Sequence, residues 1–60
     1  MKLKSLLSKM KKDEDIILSF ENGAISCLVS ETGKGYKSFE VNEVTTLNGI
    51  IKIDIHKTNI

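Results

Sequence analysis

Two Asn-Gly pairs, Asn22-Gly23 and Asn48-Gly49, constrain this chain more than any other feature. Each stands between apolar runs, in "SFENGAIS" and in "TLNGIIKI". A two-residue type I′ turn needs positive φ at both central positions, and Asn-Gly is the pair that accepts this most readily. Two antiparallel strand pairs are therefore expected.

The first should join Asp15–Glu21 to Ala24–Ser30. A two-residue loop at Asn22-Gly23 would set Phe20 against Ile25, Leu18 against Cys27 and Ile16 against Val29, all on one face. Ile17 and Leu28 would meet on the other. In the second, Ile51, Ile53 and Ile55 alternate with Lys52, Asp54 and His56, as a strand with one buried face does. Its partner should be Val44–Leu47, with Thr46 opposite Ile51 and Val44 opposite Ile53. The same register puts Glu43 against Asp54, an unfavourable like-charge pair, so the pairing is expected to slip or end there.

Leu3, Leu6, Leu7 and Met10 fall at i, i+3, i+4 and i+7, which predicts a helix over about residues 2–11 with one apolar stripe. So short a helix must dock to persist. Thr32-Gly33-Lys34-Gly35 reads as a turn. Tyr36–Val41 reads as a short strand or irregular segment, although Tyr36 and Phe39 at i, i+3 would also suit one helical turn.

The expected fold class is α+β: a single small domain over residues 1–60, in α-β-β-β-β order. The helix covers one face of an antiparallel sheet of about four strands. That face would carry Ile16, Leu18, Phe20, Ile25, Cys27, Val29, Ile51, Ile53 and Ile55. A 60-residue chain buries only about 60% of the surface its unfolded form exposes. One cysteine, Cys27, allows no internal disulfide, and Cys27 with His56 makes no closed zinc shell. Stability must then come from packing or from self-association.

Little in the sequence suggests chemistry. His56 and Asp54 share a strand face, and Ser19 or Ser26 could complete a triad in outline. Catalysis would also need an oriented oxyanion site and exclusion of water, so the residues read as a solvated face. Cys27 reads as a small buried hydrophobe. "GKGYKS" lacks the spacing of a phosphate loop. No catalytic residue, metal ligand or cofactor is expected, and the chain is not expected to be an enzyme. Charged residues make up 28% of it, and no apolar run reaches the roughly 20 residues of a membrane span. The lysine-rich start does not read as a secretion signal. A cytoplasmic location is expected.

Two surfaces remain. The first is apolar: Ile17, Leu28, Tyr36 and Leu47, with Ile50 and Ile60 nearby, would dock on another protein or on a second copy of the chain through the sheet face left open or through a sheet edge. A purely structural oligomer is a related outcome. The second is basic. The net charge is only +1, but Lys2, Lys4, Lys9, Lys11 and Lys12 crowd the first twelve residues, and Lys34 and Lys37 lie in the central loop. These seven lysines would carry the alternative function, nucleic-acid binding.

The opening "MKLKSLLSKM", the central "DIILSFENGAISCLV" and the closing "IIKIDIHK" resemble short uncharacterised phage and prophage proteins of low-GC Gram-positive bacteria. That resemblance implies a protein-binding inhibitor of host machinery, including defence systems, acting in the host cytoplasm. It assigns no role to any residue.

Overall fold

The computed structural model describes residues 1–57; Ile60, one of the expected apolar surface residues, lies outside them. Elements run in the order α1 (Leu3–Leu7), β1 (Asp15–Phe20), β2 (Gly23–Leu28), a 3₁₀ turn (Val29–Glu31), α2 (Lys34–Lys37), β3 (Glu40–Leu47) and β4 (Ile50–His56). The chain is a small α+β protein, as expected, but its four-stranded sheet is mixed. The spatial order is β2-β1-β4-β3, with β1 and β4 parallel at the centre and an antiparallel partner on each flank.

This corrects the expectation of a purely antiparallel sheet, and burial supplies the reason. Central strands have a neighbour on each flank and lie over the core, so they need large apolar side chains at their inward positions. "DIILSF" and "IIKIDIH" supply them, with Ile16, Leu18, Ile53 and Ile55 all buried, and they pair Ile16 with Ile51 and Leu18 with Ile53. The segment between β2 and β3 is long enough to carry the chain from one edge of the sheet to the other.

The two turns differ. Asn48 and Gly49 have φ of 53° and 81°, and the strands they join pair Leu47 with Ile50, Thr46 with Ile51 and Val44 with Ile53. Glu43 does face Asp54, and the register shifts between Val41 and Glu43, where Asn42 forms a bulge. At the other turn Asn22 keeps a negative φ, while Gly23, at 151°, opens β2. The loop is Glu21-Asn22, and Phe20 lies opposite Gly23, Leu18 opposite Ile25 and Ile16 opposite Cys27. Pairing is thus displaced by two residues from the expected register. A two-residue shift keeps every side chain on its face. It frees Val29 from the ladder, and Val29 enters the 3₁₀ turn with 6% of its surface exposed. Phe20, with no side chain opposite it, stacks instead on Tyr36 at 5.5 Å between ring centroids.

The core is Leu3, Leu7, Ile16, Leu18, Val29, Ile53 and Ile55. Leu6, Met10, Phe20, Cys27, Tyr36, Phe39, Val41 and Ile51 pack around it. Burying a large aliphatic side chain is worth about 1.5–3 kcal/mol, so these few residues carry most of the apolar gain. The helix α1 is shorter than expected. The Ser8 hydroxyl donates back to the Ser5 carbonyl at 2.7 Å, and Lys9 and Met10 continue with i→i+3 bonds to Leu6 and Leu7. One and a half helical turns cannot cover the whole sheet face. Ile25, expected beneath the helix, is 37% exposed on β2, and Val44 is 49% exposed on β3. Lys34–Lys37 form a helical turn, so Tyr36 and Lys37 are helical where a short strand or irregular segment over Tyr36–Val41 is expected from the sequence, and the strand begins only at Glu40.

Candidate functional site

The expected docking residues do not form one patch. Ile17 lies on the sheet face away from α1, as expected, and is half-buried. Its direct cross-strand neighbours are Ser26 and Lys52, not Leu28. Leu28 pairs with Asp15 and meets Ile17 only diagonally. Leu47, half exposed, pairs with Ile50 at the far side of the sheet. Tyr36 faces the core: its ring stacks on Phe20 and meets Phe39 edge-on at 5.6 Å. Part of its aromatic surface goes to internal packing, and the half-buried residue also borders an open depression with Phe20, Phe39 and His56.

The two sheet edges differ more than the two faces. Residues Met1–Leu3 cover the start of β3. Leu3 N–H donates to the Phe39 carbonyl at 2.9 Å, and Val41 N–H donates to the Met1 carbonyl at 2.8 Å. Glu40 clamps this segment, accepting from the Met1 ammonium at 3.1 Å and lying 3.2 Å from Lys2 Nζ. Those contacts, the ammonium hydrogen bond first, hold the Glu40 carboxyl below its ordinary value of 4.5. Beyond the covered part, β3 carries Glu43 and the bulge at Asn42.

By contrast, β2 reads "GAISCL" and has no charge, no proline and no bulge. Gly23, Ala24, Ile25 and Ser26 are exposed, and Cys27 and Leu28 are half-buried. Among the described residues no strand pairs with its outer side. Alternate outward backbone N–H and C=O groups of such a strand are left for water or for a partner strand.

The basic residues sort into two groups. Lys2, Lys4, Lys34 and Lys37 converge with Ser5 and Ser38 on one depression of about 600 Å³. Lys4 and Lys37 also border a second, of about 440 Å³, which adds Lys12. Lys9 and Lys11 line neither. Contact between α1 and α2 brings these lysines together from positions some thirty residues apart in the chain. Sequence reasoning had no view of this, because the spacing of the lysines carries no trace of it.

Ser19, Asp54 and His56 line a common open depression of about 520 Å³ with Glu21 and Glu43. Among the described residues no side-chain hydrogen bond links the three, and Ser26 is not part of it. The Cys27 Sγ lies 3.7 Å from the Thr32 hydroxyl, which in turn donates to the Leu28 carbonyl at 3.3 Å. The thiol therefore sits in a local polar knot that closes the end of β2. Among the described residues no group of three or more metal-ligating side chains occurs, and no helix is long and apolar enough to cross a membrane.

Comparison with known protein families, with curated proteins and with solved structures finds no match.

Proposed function

We propose that this chain is a small protein-binding module that takes up an extended segment of another protein at the outer edge of β2. The observation that carries this reading is the contrast between the edges. Charge, a bulge and a covering segment protect the first half of β3, whereas β2 is unbulged, uncharged and open along its length. Strand addition uses main-chain hydrogen bonds for affinity and alternate side chains for selectivity. On β2 the alternate positions are Ile25 and Cys27 on the helix side and Ala24, Ser26 and Leu28 on the reverse. Ile25 is the apolar side chain that α1 leaves partly uncovered there, so an added strand bearing an apolar residue opposite it would complete the core face.

A second copy of the chain could fill the same edge. Antiparallel β2–β2 pairing about a two-fold axis keeps both helices on one side and brings the two Ile25 side chains together, with no like-charge cost. For a protein of the kind the sequence resembles, the occupant would be a host protein inhibited by the added strand.

The test compares capture of partners from the source cell by the native chain and by Ile25→Lys and Ser26→Lys. Both positions are exposed, so the fold should survive, as circular dichroism would verify. A partner held by the native chain and released by both variants supports the reading. A partner held equally by all three contradicts it. Solution mass of the purified chain separates a foreign partner from a second copy.

A further inference from the structure

From the convergence of lysines between α1 and α2 we infer a second binding site, for the phosphate backbone of a nucleic-acid duplex. The two depressions there share Lys4 and Lys37, with Lys2 and Lys34 around the first and Lys12 on the second. No carboxylate lines either one. Lys2 is held by Glu40, which is itself shared with the Met1 ammonium. Among the described residues the only ion pairs are those of Glu40, so Lys4, Lys12, Lys34 and Lys37 have no carboxylate partner. Hydroxyls stand beside them: Ser5 and Ser38 in the first depression, Ser8 and Ser30 in the second.

Three of the eight acidic residues stand together elsewhere. Glu21, Glu43 and Asp54 border a different depression. A chain with a net charge of only +1 thus keeps a concave surface whose polar lining is ammonium groups and hydroxyls, with Leu7 and Val29 as the apolar side chains of the second depression. Two depressions joined through shared lysines suit a row of phosphates better than a single one.

The lining also says which kind of strand. A single strand presents unstacked bases, and affinity for it depends on aromatic platforms. No aromatic residue lines either depression, and the nearby Tyr36 is already stacked on Phe20. A duplex keeps its bases stacked and offers phosphates, which lysines read as point charges without regard to sequence.

The experiment uses fluorescence anisotropy with a labelled mixed-sequence duplex, and inorganic polyphosphate as a second probe. Four lysines acting on about four phosphates give a log–log salt slope near −3.6, or a loss of about a hundredfold in affinity between roughly 50 and 200 mM salt. The paired variants are Lys4→Glu with Lys37→Glu, and Lys9→Glu with Lys11→Glu. Both change the charge by the same amount, but only the first pair lines the depressions. The inference expects the first pair to weaken binding more than about tenfold and to flatten the slope by about 2, and the second pair to change affinity by less than about twofold. Lys4→Gln with Lys37→Gln repeats the first arm if charge reversal disturbs folding. Equal losses in the two pairs, no duplex binding by the native chain at low salt, or binding of polyphosphate alone would each overturn it.

Discussion

The outer strands β2 and β3 occupy equivalent places at opposite ends of one sheet, yet they are built by opposite rules. The first half of the β3 edge is closed in three ways: the segment Met1–Leu3 pairs with its start, Asn42 bulges, and Glu40 and Glu43 place carboxylates on it, while residues 44–47 stay exposed. The edge at β2 has none of these. An open, uncharged edge strand risks indiscriminate pairing, and folded proteins commonly suppress that risk. A 60-residue chain that guards the first half of one edge and leaves the other bare along its length has an asymmetry that packing alone does not require. Its core sits at the centre, under α1, and would be served equally well by two guarded edges.

Five substitutions probe this contrast. Leu3 is fully buried and anchors the segment that covers β3. Leu3→Ala should cost about 2–5 kcal/mol in chemical denaturation, because it leaves a cavity in a thin core. Ile25→Ala on β2, where the side chain is already 37% exposed, should cost well under half of that. Equal costs would mean that the two edges are equally integral to the core.

The turn beside β3 is next in size. Gly49 sits at φ 81° after Asn48 at 53°, so Gly49→Ala should cost about 1–2 kcal/mol through left-handed backbone strain. Glu43 faces Asp54 across β3 and β4. Glu43→Lys keeps the edge charged but replaces repulsion by attraction, and should stabilise the fold by about 0.2–1 kcal/mol. No gain would mean that the bulge at Asn42 already separates the two carboxylates.

The last change is local. The folded-state value of Glu40 is lowered, so its contribution is present above the ordinary carboxylate value of 4.5 and is lost as pH falls through the lowered value. Amide exchange at Leu3 and Val41 should therefore quicken in acid, once the intrinsic pH dependence is removed, while exchange in β1 and β4 holds. Glu40→Gln should show fast exchange at those two amides at every pH.

Much of this fold can be read from the sequence, and the failures are physical. Asn48-Gly49 supplies its turn, and even the break after the Glu43–Asp54 pair follows from like charges meeting. Asn22-Gly23 misleads because a glycine can also open a strand: at φ 151° Gly23 begins β2, the loop moves back to Glu21, and Phe20 turns to Tyr36 for a partner. Strand order was open to a comparison that periodicity does not make. "DIILSF" and "IIKIDIH" carry the larger share of big aliphatic side chains, whereas "GAISCL" and "EVNEVTTL" carry fewer for their length. Period alone says which face is buried, not which strand is central. Lys2, Lys4, Lys34 and Lys37 were all candidates by charge, but their grouping depends on α1 touching α2, a tertiary fact. Tyr36, in a glycine-rich loop, packs one side of its ring on Phe20, a contact that its place in the sequence does not show.

Hydrogen exchange on the chain with its captured partner, or on its dimer if the partner is a second copy, tests the β2 edge most directly. The account predicts that alternate amides of residues 23–28 become protected on binding while those of residues 42–47 keep their rates. Protection on β3, or on the reverse face around Ile17 and Lys52 with β2 unchanged, would contradict it.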